Sequence, residues 1–68
     1  MPVQKETSIV VFTTTQEAAE KEANKLIQAV VNPDGPIFEA VLVPGKTVPA
    51  TSLDPEAWLV FFDVTMAS

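Results

Sequence analysis

The chain has 68 residues, 47% of them hydrophobic, and contains neither cysteine nor histidine. A domain of this size is marginally stable alone, and without those residues neither disulfides nor the usual zinc ligands can strengthen it. The formal net charge is −5 and all four basic residues are lysines, which argues against nucleic-acid binding because that function depends on a basic, arginine-rich surface. We expect one domain, residues 1–68, that is stabilised by association.

Membrane segments are not evident. No apolar run approaches the roughly 20 residues that a transmembrane helix needs, and the first residues lack the apolar region of a signal peptide. We therefore predict a cytoplasmic protein that does not contact membranes.

The first elements along the chain are a strand and a helix. Residues 8–13 are rich in β-branched side chains and predict a strand. The apolar period then becomes helical and predicts a helix over residues 15–31, with Thr14 as its N-cap and Glu17 completing a capping box. The predicted apolar stripe of this helix comprises Ala19, Ala23, Leu26, Ile27 and Val30.

Two more strands follow the helix. Asn, Pro, Asp and Gly residues predict a turn over residues 32–36, and residues 37–43 predict the second strand. Residues 44–56 contain three prolines and a glycine and predict a long loop, within which residues 54–56 favour a short helical turn. Aromatic and β-branched side chains predict the last strand over residues 58–65.

This order predicts an α+β fold, a small two-layer β-α-β-β sandwich with one helix on a three-stranded sheet. Side chains alternate between the two faces of a strand, and here both faces are mostly apolar. One helix covers one face, so we predict that the second face is buried against another chain. In the first strand the alternation places Ile9 and Val11 on one face and Val10 and Phe12 on the other. In the second strand it separates Phe38, Ala40 and Leu42 from Ile37, Glu39, Val41 and Val43. In the last strand it separates Trp58, Val60, Phe62 and Val64 from Leu59, Phe61 and Asp63.

Residues that carry chemistry are scarce. The absence of histidine, cysteine, tyrosine and arginine removes most catalytic bases and nucleophiles. Lys46 and Thr47 follow Gly45, but the string lacks the upstream glycine of a phosphate loop. Asn32 and Asp34 lack the ligand spacing of a calcium loop. We predict no catalytic residue, no metal site and no cofactor.

Two families have comparable element patterns. Residues 9–15, followed by an alanine-rich amphipathic helix, are similar to the opening of the ferredoxin-like trimeric CutA proteins, although this chain is shorter and lacks their second helix. The order strand, helix, strand, strand resembles that of dodecins, oligomeric flavin binders with one helix on a small antiparallel sheet. Dodecin ligand contacts do not map onto residues of this sequence.

We therefore predict a small oligomeric protein-interaction module or accessory subunit without catalytic activity, whose partner is a second copy or another protein. The predicted interface comprises Leu59, Phe61, Ile37, Val41 and Trp58, and the predicted recognition loop contributes Lys46, Thr47 and Val48. An alternative is a homo-oligomer that binds a small molecule in an apolar pocket between subunits, lined by Phe38, Phe61 and Trp58. A third class, an acidic mimic of nucleic acid, ranks last because the carboxylates are spread along the chain.

Overall fold

The computed structural model describes residues 2–51 and 54–67. In these residues the chain forms strand β1 (Val3–Phe12), helix α1 (Gln16–Gln28) and strands β2 (Ile37–Leu42), β3 (Val48–Thr51) and β4 (Asp54–Met66). All strand pairs are antiparallel. The predicted α+β class is confirmed, and the described part of the sheet has four strands, one more than predicted.

Strand β4 is the centre of the sheet. On one side it pairs with the whole of β1, from Val3 opposite Met66 to Phe12 opposite Ala57. On its other side β2 pairs with the carboxyl-terminal part of β4 and β3 with the amino-terminal part. Because β4 offers a continuous row of backbone partners, β1 begins at Val3, five residues before the predicted strand.

Strand β3 lies inside the segment that the sequence predicted as a loop, residues 44–56. Proline normally weakens a strand, yet Pro49 occupies an edge strand, where a missing backbone N–H is tolerated when it faces away from the neighbour. The predicted helical turn at residues 54–56 was also wrong, since these residues already belong to β4. Residues 52 and 53 of the predicted loop lie outside the described residues.

Helix α1 is shorter than predicted and begins one residue later. Thr15, not Thr14, is the N-cap, and its hydroxyl accepts a 3.1 Å hydrogen bond from the Ala18 amide. Ala18 stands where a capping box would need a glutamate, so the predicted box is absent here. The helix ends at Gln28, after which the Val30 amide bonds to the Ile27 carbonyl at 3.1 Å.

The helix covers the even-numbered face of β4, and this layer contains the core. Val60 and Phe62 are fully buried there. Leu26 and Val30 of the predicted helix stripe are about half exposed. The buried helix residues, Ala19, Ala23 and Ile27, are spaced by four, so the strip of the helix that packs against the sheet is narrower than predicted. The core cluster comprises Val11, Ala19, Ala23, Ile27, Ala40, Val60, Phe62 and Val64.

An irregularity at the start of β2 changes which of its side chains share a face. The register against β4 shifts between Ile37 and Glu39. Ile37 is opposite Met66 and packs against the core, whereas Val41 is opposite Asp63 on the other face. The prediction that Ile37 and Val41 share a face was therefore wrong, because one extra residue at a bulge inverts the alternation.

Candidate interaction surface

The side of the sheet opposite the helix, called the open face here, carries a group of exposed apolar side chains. Residues directly opposite each other in antiparallel strands share a face, so the open face can be followed from Leu59 across the sheet. Leu59 lies between Val10 on β1 and Val48 on β3. These three side chains form an apolar row that crosses three strands.

Further apolar residues extend this row. Phe12 is 74% exposed and Val41 is 51% exposed, while Phe61 is half-buried on the open face opposite Ser8. Val10 and Val48 are nearly as exposed as Val41. The apolar part of the open face therefore comprises Val10, Phe12, Val41, Val48, Leu59 and Phe61.

The end of the open face near the β4 carboxyl terminus is acidic. Glu6 is directly opposite Asp63, and Asp63 is flanked on its other side by Val41. Glu39 lies on the same face two residues from Val41, opposite Thr65. The surface is thus apolar at one end and carries three carboxylates at the other.

Lys46 extends over this boundary from the segment between β2 and β3. Its Nζ atom lies 4.8 Å from the centroid of the Phe61 ring and 2.5 Å from Oε1 of Glu6. Both charged side chains are close to half exposed, and an exposed ion pair contributes at most about 1 kcal/mol. The lysine therefore partly covers Phe61 with a contact that a partner could displace at little cost.

Thr47 points the other way, to the helix side. It is buried, and its Oγ1 donates a 2.5 Å hydrogen bond to Oε2 of Glu20. Gly45 precedes these residues with a φ of 75°, a conformation that glycine adopts without strain. The three predicted recognition residues therefore divide between two faces: Lys46 and Val48 lie on the open face, and Thr47 joins the segment to the helix.

The predicted interface residues divide in the same way. Leu59, Phe61 and Val41 lie together on the open face. Ile37 and Trp58 lie on the helix side and pack against the core, and Trp58 Nε1 donates to the Thr13 carbonyl at 3.1 Å. Val10 and Phe12 were missing from the predicted interface, although the alternation of β1 already grouped them on one face.

The pocket residues predicted for the alternative function do not converge within one subunit. Phe61 lies on the open face and Trp58 on the helix side, while Phe38 lies at the β2 irregularity. A separate groove of about 750 Å³ runs between the end of β1 and the flank of the helix. It is lined by Phe12, Thr13, Ala18, Lys21, Glu22, Asn24 and Lys25.

Residues 2–51 and 54–67 contain no cluster of acidic side chains that could hold a metal ion. Within the same residues no helix is long and apolar enough to cross a membrane. The cytoplasmic location and the lack of nucleic-acid binding stay predictions.

Comparison of the chain with protein-family models, curated proteins and solved structures finds no match. The resemblances to CutA proteins and dodecins therefore stay interpretations of the element order. The geometry of the open face carries the functional argument.

Proposed function

We propose that this protein is a non-catalytic interaction module that associates through the open face, in the simplest case with a second copy of itself. The observation that supports this function is the contiguous apolar surface from Val10 through Leu59 to Val48, with Phe12 exposed at its end. Monomers rarely leave apolar patches of several strands exposed to water, and such patches mark interaction sites.

Energetics favour covering this face. Each apolar square ångström removed from water stabilises a complex by about 25 cal/mol before the costs of association are subtracted. The open-face valines and Phe12 belong to strands that the sheet already orders, so little backbone entropy is lost on binding. The acidic end would form a polar rim that orients the partner.

The sequence also supports a non-catalytic role. It contains no histidine, cysteine, tyrosine or arginine, which are the residues that most often act as bases, nucleophiles or anion clamps. Lys46 and Thr47, which belong to the string compared above with a phosphate loop, point to opposite sides of the sheet.

Sedimentation velocity on two matched variants tests this function. Val41→Thr combined with Val48→Thr keeps the β-branched shape of two open-face residues but adds hydroxyls, whose burial without a hydrogen-bond partner is unfavourable. Val30→Thr makes one such change at a valine of similar exposure that lies just beyond the end of the helix. We expect the wild-type chain and the Val30→Thr variant to associate, and the double variant to associate at least tenfold more weakly. A wild-type chain that stays monomeric at all concentrations would rule out self-association.

A second candidate, small-molecule binding within one subunit, is supported by the groove between the end of β1 and the flank of the helix. Lys21, Glu22 and Lys25 line it together with Phe12, and two ammonium groups beside one carboxylate favour a small anionic ligand such as an aromatic carboxylate. Thermal unfolding with a panel of aromatic carboxylates and flavins tests this candidate, since a ligand at 100 times its Kd stabilises the folded state by about 2.7 kcal/mol. Lys21→Gln should abolish any shift, and the absence of a shift with the whole panel would exclude ligands of this class.

A further inference from the structure

The hydrogen bonds of β4 reveal which backbone groups of β1 face outward. The Val43 amide donates to the Phe61 carbonyl at 2.9 Å, and the Ala67 amide donates to the Pro36 carbonyl at 2.9 Å. The N–H and C=O groups of one strand residue point to the same side, and that side alternates along the strand. The backbone N–H and C=O groups of odd-numbered β4 residues therefore point toward β2. Even-numbered β4 residues therefore bond to β1.

The register between β1 and β4 then identifies the outer groups of β1. Even-numbered β4 residues are opposite Val3, Lys5, Thr7, Ile9 and Val11, so those five direct their backbone groups inward. The backbone groups of the intervening residues point to the free edge of the sheet. These residues are Gln4, Glu6, Ser8, Val10 and Phe12.

The opposite edge of the sheet is shielded. Gln28 Nε2 donates to the outward Ala40 carbonyl at 2.8 Å, and the Asn32 amide donates to the Ile37 carbonyl at 2.9 Å. A bulge interrupts β2, and Pro49 presents no N–H along β3. These are the devices by which proteins block strand addition. By contrast, β1 pairs with β4 over ten residues without a register shift and contains no proline.

We propose that β1 pairs in antiparallel fashion with β1 of a second copy, about a twofold axis perpendicular to the sheet at Ser8. The proposal rests on the proposed self-association of the chain but places the contact at the β1 edge rather than on the open face. With Ser8 opposite its own copy, Glu6 lies opposite Val10 and Gln4 opposite Phe12, so all five outward residues meet one another. Registers centred on Lys5 or Glu6 would instead place like charges opposite each other, which is destabilising.

This arrangement joins the two open faces on the same side of one continuous sheet, because a perpendicular twofold axis preserves the face of each residue. It also brings the partner strand alongside Phe12, the most exposed of the large apolar side chains in the described part of the chain. The backbone supplies the hydrogen bonds, and the second copy contributes the other half of an apolar surface.

Amide exchange on the wild-type chain tests the pairing directly. The amides of Glu6, Ser8 and Val10 should exchange quickly in dilute protein and become protected as concentration rises. The amides of Thr7 and Ile9, which bond to β4, should be protected at every concentration. Rapid exchange at Glu6, Ser8 and Val10 in a protein that sediments as an oligomer would overturn the pairing.

A proline variant supplies the second test. Ser8→Pro removes an outward N–H and keeps the bonds between β1 and β4, so it should weaken association at least tenfold, while Ser8→Ala should associate like the wild type. If the Val41→Thr and Val48→Thr double variant dissociates but Ser8→Pro does not, the β1 pairing is wrong and the open-face function stands. The reverse result supports the β1 seam and rejects association through the open face. A chain that is monomeric throughout overturns both.

Discussion

The Oγ1 atom of Thr47 donates a 2.5 Å hydrogen bond to Oε2 of Glu20 and so ties the segment between β2 and β3 to the helix. The preceding residue, Lys46, contacts Phe61 and Glu6 on the opposite face of the same sheet. Two consecutive residues between β2 and β3 thus make contacts on opposite faces of the sheet. Thr47 is buried and Lys46 is about half exposed, so Thr47 should contribute more to stability.

Thr47→Val should lower the free energy of unfolding by about 1–2 kcal/mol, because it removes a buried hydroxyl that donates to a carboxylate while keeping the side-chain shape. Urea denaturation at fixed protein concentration measures this change. Thr7→Val, at an exposed strand position, is the matched control and should change stability by less than about 0.5 kcal/mol. Equal effects of the two substitutions would contradict a role for the Thr47 hydroxyl.

Lys46→Ala should lower the free energy of unfolding by no more than about 1 kcal/mol, since both members of its ion pair are partly exposed. The difference from wild type should shrink in about 1 M salt, where charges are screened beyond about 3 Å. Urea denaturation at low and high salt measures both effects. A salt-independent loss above about 2 kcal/mol would mean that packing of the lysine stem dominates.

Thr15→Ala should lower the free energy of unfolding by about 1 kcal/mol because it removes the side-chain acceptor for the Ala18 amide. Thr14→Ala is the control and should have little effect. Urea denaturation followed by circular dichroism measures both variants. The opposite ranking would place the N-cap at Thr14, as the sequence alone suggested.

Phe62→Leu should lower the free energy of unfolding by about 1–2 kcal/mol, because Phe62 is fully buried and a smaller side chain leaves unfilled space. Phe12→Leu makes the same change at a ring that is 74% exposed and should leave the stability of the monomer nearly unchanged. Thermal unfolding of dilute protein compares them. Similar losses for both variants would show that Phe12 is already packed within the monomer.

Local sequence patterns were sufficient to predict the helix, three of the strands and the grouping of side chains on the two faces of β1 and β4. The alternation through Trp58, Val60 and Phe62 identified one coherent side of the last strand, and the structure confirms it as the core side. The apolar character of Leu59 and Phe61 pointed to a second exposed surface. These features depend on side-chain periodicity, which a sequence displays directly.

The tertiary structure decided the features that depend on distant partners. Val48 and Pro49 have weak strand signals of their own and become β3 because β4 offers backbone groups beside them. The polar start of β1 is ordered for the same reason. The bulge after Ile37, which moves that side chain into the helix layer, likewise has no local signal.

Which face the helix covers was also undecided by periodicity, because both faces of β4 are apolar. The small residues Ala19 and Ala23 pack against the side that holds Val60 and Phe62, where larger side chains fill the space that the alanines leave. Side-chain alternation follows from backbone geometry and can be predicted from the sequence of a single segment. Register, edge protection and the choice of covered face arise from packing between segments, so only the folded chain determines them.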